Sequence, residues 1–230
     1  LDPHVRYDWS TRMIQQSVYD ALAKYVGDPP RIEPWLAERW ETNADQTVWT
    51  FHLVRNARFH NGDPVDAEAV RYSFERGLRL NKGVAWMLKD VLDPGAIAAV
   101  DERTVRFTLT RPMPAFLTYI PMWFIVNPRQ VNANVANNDY GEGWLTMNAA
   151  GSGPFRLRRF DPQSVIHMDA VPEYWKGWPM GDQRRLSGVI YRIVREPAAR
   201  RALIGRGEAD AITEVPADDF DQLRGMRGMR

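Results

Sequence analysis

Hydrophobic and polar positions along the chain follow two different periods. Between Val48 and Val54, Trp49, Phe51 and Leu53 alternate with Thr50 and His52, a period of two that predicts a strand with one buried face. Earlier, Ile14, Val18, Leu22 and Tyr25 recur at helical spacing and predict a helix from the capping residues Ser10 or Thr11 to about Tyr25. Gly27-Asp28-Pro29-Pro30 ends that pattern, and the stretch from Trp35 to Trp40 predicts a short turn of helix. Asn61-Gly62-Asp63-Pro64 is a turn. Asp66 follows as the N-cap of a second helix, with Ala69, Val70, Phe74 and Leu78 on one face.

Further along, Ala96–Val100 and Thr104–Leu109 predict paired strands around Asp101-Glu102-Arg103. Pro112 and Pro114 precede a short apolar helix, and Trp123–Val126 is an apolar strand. Asn132–Asn148, rich in Asn and Gly, predicts surface loop. Phe155–Phe160 and Val165–Ala170 predict a hairpin around Asp161-Pro162-Gln163. The remaining elements are a strand at Leu186–Val194, a helix at Pro197–Gly205, a strand at Ala209–Thr213 and a helix at Ala217–Leu223. Strands and helices mix without strict alternation, which gives a mixed α/β, or α+β, fold class.

Composition narrows the function. The 230 residues are 44% hydrophobic and include nine Trp, nine Phe and eight Tyr, enough for a substantial core. A formal charge of +1 gives no field that would draw nucleic acid or an anionic membrane, so no nucleic-acid partner is expected. The absence of cysteine excludes thiol catalysis, iron–sulfur clusters and disulfides. No window reaches the roughly 18 apolar residues of a membrane span. The chain opens at Leu1 without a basic-then-apolar leader or a lipid-attachment cysteine, so the expectation is a soluble protein whose signal sequence is not present in this chain.

Candidate chemistry is sparse. His4, His52, His60 and His167 are scattered, without a second ligand at metal spacing, so no metal and no cofactor is expected. Gly151-Ser152-Gly153 lacks the spacing of a phosphate loop or of a nucleophile elbow, and predicts a tight crossing between subdomains instead. Asp218, Asp219 and Asp221 open a helix, where its dipole accounts for them. Arg195, Arg200, Arg201 and Arg206 form a solvated face. The aromatics at element edges, Tyr7, Trp9, Trp86 and Trp123, could line a small-molecule cleft, and each could equally be core.

Several segments together resemble one family. Ala37-Glu38-Arg39-Trp40 is followed by Trp49-Thr50-Phe51-His52-Leu53, Phe59-His60-Asn61-Gly62 and Asp66-Ala67-Glu68-Ala69-Val70. Gly151-Ser152-Gly153-Pro154-Phe155 and Glu173-Tyr174-Trp175 come next, then Gly207-Glu208-Ala209-Asp210. Their order and spacing resemble the family 5 extracytoplasmic solute-binding proteins, the peptide, nickel and opine receptors of ABC importers. The resemblance spans nearly the whole chain.

What it implies is a periplasmic-binding-protein-like type II lobe with an inserted α+β subdomain and the second lobe missing. Residues 1–19 and 149–230 would form the incomplete ligand-binding lobe, and residues 20–148 the inserted subdomain. The chain would capture a peptide or peptide-like solute by hinge closure in the periplasm, or another extracytoplasmic space, and deliver it to an ABC importer permease. It would act as a monomer and not as an enzyme. Arg6, Tyr7, Trp9, Trp86, Met122 and Trp123 would line the cleft. Nickel-chelate binders of the family carry an arginine in the region of Met122, so the methionine argues against a chelated metal. An opine, an oligosaccharide or a metal–chelate remains an alternative ligand. A hydrolase using Ser152 and a regulatory use of the same scaffold are the alternatives of other classes.

Overall fold

The computed structural model describes residues 1–178 and 186–226. Helix α1 runs Trp9–Val18, with the Asp8 side chain accepting from the Thr11 amide at 2.9 Å, so the cap lies just before the predicted pair Ser10 and Thr11. The helix also stops earlier than its apolar spacing predicts. Gly151-Ser152-Gly153 crosses its end: the Gly153 amide bonds the Val18 carbonyl at 2.9 Å, and a Cβ on Gly151 would sit 2.0 Å from that oxygen. Beyond Val18 the backbone is extended and forms the hairpin β1 (Ala23–Val26) and β2 (Arg31–Pro34).

β3 (Ala37–Thr42) is a strand where a turn of helix was expected. It pairs with β4 (Val48–Leu53) through an irregularity between Ala37 and Arg39, which breaks the alternation that would have revealed it. With β5 (Ile97–Asp101) and β6 (Thr104–Thr108) they form an antiparallel sheet of order β3-β4-β6-β5. Trp49, Phe51 and Leu53 face inward, as their period requires.

Helix α2 (Ala67–Leu80) covers this sheet, capped by Asp66 and closed by Asn81 in the left-handed conformation. Ala69, Val70, Phe74 and Leu78 are its buried stripe. The short helices α3 (Phe116–Tyr119), α4 (Pro128–Asn132) and α5 (Glu142–Met147) follow. α5 lies inside the segment expected to be loop, held there by Leu145, which is fully buried.

β7 (Phe155–Asp161), β8 (Val165–Ala170) and β9 (Gly188–Arg192) form a second antiparallel sheet. α6 (Pro197–Gly205) and α7 (Phe220–Arg224) bury no residue, and Ala209–Thr213 is not a strand. Among the described residues no helix is long and apolar enough to cross a membrane.

Two apolar cores result. Phe51, Phe74, Phe107 and Phe116 fill the first; Val18, Tyr19, Ile166 and Met168 fill the second. The segment Trp123–Val126 divides them. Trp123 and Ile125 enter the first core while Phe124 and Val126 enter the second. The segment makes one isolated bridge, Phe124 to Ala21, and so is not a strand of a sheet. Burial on both sides explains why all four of its positions are apolar.

Candidate functional site

The N-terminal loop is pinned from below. Asp2 accepts from the His4 amide at 3.0 Å and from both terminal nitrogens of Arg76, at 2.9 and 2.6 Å. Burial opposes ionisation of Asp2, but the charge-assisted bonds from Arg76 outweigh it and hold the carboxyl below its ordinary range. Arg76 also donates to Nδ1 of His4 at 2.9 Å, which leaves Nε2 as the protonated nitrogen, donating to the Phe124 carbonyl at 2.9 Å. Burial, reinforced by the Arg76 charge, depresses the imidazole pKa to about 4, so the ring is neutral at neutral pH. The Gln15 side chain donates to the Asp2 carbonyl at 3.1 Å. With its base fixed in this way, the loop projects Arg6, Tyr7 and Trp9 outward, all exposed.

A second segment meets this loop because of one glycine. Gly83 opens a single 3-10 turn, Gly83–Met87, in the left-handed region at φ +46°. A Cβ on it would lie 2.5 Å from the His4 carbonyl oxygen and 2.8 Å from Val5. Only glycine satisfies both demands, and the close approach carries Trp86 alongside the loop. Trp86, 53% exposed, stands edge-on to Tyr7 with ring centroids 6.2 Å apart. Tyr119, from the end of α3, meets the other side of Trp86 at 6.1 Å. Such edge-to-face pairs are favourable beyond the area they bury. Tyr25 on β1, also exposed, donates to the Thr118 carbonyl at 2.6 Å and extends the aromatic surface.

The structure thus brings Tyr7 and Trp86 together, while Met122 is half-buried with its carbonyl accepting from Arg12. Trp9, 73% exposed, begins α1 and makes no ring contact among the described residues. Trp123 is not on this surface. It is fully buried, stacked on Phe74 at 4.7 Å and 6°, and presents no atom to a ligand, so its assignment to the cleft is corrected to core. Its neighbour Phe124 is buried too, in the second core, because Trp123–Val126 alternates between the two cores.

Sequence reasoning missed Arg12. It lies on α1 and is 4% exposed, its guanidinium 4.3 Å from the Phe124 ring centroid and 5.9 Å from that of Tyr7. It donates to the Met122 carbonyl at 3.0 Å and to Gln15 Oε1 at 3.3 Å. No signal in the local sequence marks it as buried, because its cover comes from residues more than a hundred positions away.

A crevice of about 90 Å³ beside Met122 is lined by Asp20, Lys24, Trp35 and Phe124, too small for anything beyond a few waters. A hollow of about 220 Å³ lies elsewhere, among Arg58, His60, Ser152 and Glu173. Ser152 is buried there, and its hydroxyl donates to Asp20 Oδ2 at 2.9 Å, while the His60 ring is engaged with the Gly153 carbonyl at 2.9 Å. Asp20, the acceptor of the Ser152 hydroxyl, is a buried carboxylate that also takes donors from Trp35, Tyr174 and Trp175. Among the described residues no group of three or more His, Asp or Glu side chains could hold a metal ion.

Comparison with known proteins gives a consistent result. Residues 31–229 match the family model for bacterial extracellular solute-binding proteins, family 5 Middle. A probable D,D-dipeptide-binding periplasmic protein, DdpA, of Escherichia coli (strain K12) is 34% identical over 97% of this chain and 43% of its own length. Di/tripeptide-binding protein 2 of Pseudomonas aeruginosa (strain UCBPP-PA14) is 29% identical over 87% of this chain and 40% of its own. Among solved structures, MoaA of A. tumefaciens R10 in complex with mannopinic acid superposes with a TM-score of 0.77 at 30% identity, over 91% of this chain and 41% of that one. The chain therefore spans about two fifths of the length of the relatives it matches, and its fold is that of a periplasmic binding protein of type II, in part.

Proposed function

Because the chain belongs to the bacterial extracellular solute-binding proteins of family 5, we propose that it is the solute-holding lobe of a receptor serving an ABC importer. Residues 1–19 and 149–230 make the lobe, and residues 20–148 make the subdomain inserted into it; residues 179–185 and 227–230 lie outside the described residues. The observation that carries the reading is the pair of exposed aromatics Tyr7 and Trp86, backed by the half-buried Tyr119 and set on a base fixed by Asp2 and Arg76. A wall of this kind is half of a site. A second lobe closes over it by a hinge, and the ligand selects the closed form.

Tyr7, Trp9 and Trp86 supply flat apolar contact, while Arg6 and Met122 border it. The solute is a short peptide or a peptide-like acid. An opine is the second reading, favoured by the likeness to the mannopinic acid complex. The receptor works outside the cytoplasm as a monomer and presents its closed form to a permease, with no bond made or broken.

Thermal unfolding of the full-length gene product across a panel of di- and tripeptides and opine acids tests this. A true ligand raises the melting temperature in a saturable way, by about 2.7 kcal/mol of stabilisation at a hundredfold excess over Kd. An unchanged melting temperature across the whole panel would sink the reading.

A further inference from the structure

Among the described residues two arginines, Arg12 and Arg76, are buried, and the fold treats them differently. Arg76 meets both carboxylate oxygens of Asp2. Arg12, almost equally buried, has no carboxylate within ion-pairing distance among the described residues. Its protein partners are neutral: the Met122 carbonyl, the Gln15 amide oxygen, and the Met122 sulfur at 3.7 Å. Its Nε is buried with no partner at all. A guanidinium offers five donors, and the three contacts to Gln15 and Met122 leave two of them unused, the Nε–H and one on Nη1.

A buried charge without a counter-charge is costly, and burial lowers the Arg12 pKa to about 10. The surroundings show where an anion would have to come from. The guanidinium rests on Phe124 and lies beside Tyr7, the residue that pairs with Trp86 in the exposed wall. Arg12 thus lies directly beside a residue of the exposed wall.

We propose that Arg12 is the anchor for a carboxylate of the bound solute, with the Tyr7–Trp86 wall packing against the apolar part next to that carboxylate. Both Nη atoms already donate within the protein, so the acid is met by the donors left over, the Nε–H and the second N–H of Nη1. This inference rests on the receptor reading and deepens it, by specifying that the solute must carry a carboxylate on the side nearest α1.

The test uses the full-length gene product and three probes: D-alanyl-D-alanine, its C-terminal amide, and mannopinic acid. Arg12→Met keeps the length and apolar packing of the side chain and removes the charge. Calorimetric affinities should fall at least ~30-fold for whichever acid binds, while the amide should bind the unaltered protein and the variant alike. A loss with the dipeptide alone identifies a terminal carboxylate, and a loss with mannopinic acid alone identifies an opine acid. Without ligand, Arg12→Met should melt no lower than the unaltered protein, because it removes an uncompensated charge; a marked fall in melting temperature would make Arg12 a structural residue and overturn the inference. Equal affinity of the acid for both proteins overturns the inference but leaves the receptor reading standing. If no probe and no member of the wider panel binds the unaltered protein, both fall together.

Discussion

The indole N–H of Trp175 donates to Oδ2 of Asp20 at 2.8 Å, across 155 positions of the chain. Trp35 and Tyr174 donate to the other oxygen at 2.7 and 2.9 Å, and Ser152 completes the shell at 2.9 Å. One buried carboxylate thus ties the hairpin after α1, the Gly-Ser-Gly crossing and the Tyr174-Trp175 turn into one joint. Burial still raises the Asp20 pKa, because desolvation outweighs the four donors. Asp20→Ala leaves four polar groups without their acceptor and should cost about 3–5 kcal/mol. Urea unfolding measures it, and a loss below ~1 kcal/mol would show that the joint is not needed to hold the fold.

Gly77 sits on α2 where a Cβ would lie 2.4 Å from the Trp123 ring. Alanine in a helix interior is favoured over glycine by about 1 kcal/mol. Here the indole cannot retreat, since Phe74 stacks on it at 4.7 Å. Overpacking should outweigh propensity, and Gly77→Ala should lose about 1–3 kcal/mol net. A stabilised variant in thermal unfolding would contradict the packing described here.

How much of this was legible beforehand depended on whether the decisive partner was near in sequence. β4 and α2 were legible because each buries one face and its own period records that. The end of α1 was not: Leu22 and Tyr25 keep helical spacing, yet the chain turns extended at Tyr19, where the Gly151–Gly153 segment crosses. β3 was obscured by its own irregularity at Ala37 and Arg39. At the site, the aromatic character of Tyr7 and Trp86 was visible, but their contact depends on Gly83 approaching His4. Trp123 was read as part of the cleft, and Arg12 was not read at all. An aromatic beside a proline gives no sign that it is core, and an arginine on a polar-looking helix face gives no sign that Phe124 will cover it.

The buried Asp2–Arg76–His4 cluster sets an acid limit on stability. The folded pKa of His4, about 4, lies below the unfolded value near 6.5, so the unfolded chain binds more protons between them. This contribution is complete above pH 6.5 and is lost as pH falls towards 4, about 3 kcal/mol in all. Asp2, held below its ordinary range, acts in the same sense at lower pH, whereas Asp20, held above it, acts in the opposite sense. His4→Gln keeps a donor for the Phe124 carbonyl and an acceptor for Arg76 while removing the titration. Stability measured from pH 7 to 4 should therefore fall less steeply in the variant, and parallel curves would refute the assignment.

Trp86 and Trp123 provide the sharpest contrast between wall and core. Trp86 is 53% exposed and touches Tyr7 and Tyr119 only at ring edges. Trp86→Ala should change the unliganded stability by less than about 1 kcal/mol. Trp123→Ala removes a fully buried indole stacked on Phe74 and should cost about 3–5 kcal/mol. Ligand binding should reverse the order of importance: Trp86→Ala weakens solute affinity in a protein that still unfolds normally, because an exposed aromatic gains its partner only when the solute covers it. If Trp86→Ala binds dipeptides and opines as tightly as the unaltered protein, the aromatic wall is ordinary surface and the solute lies elsewhere.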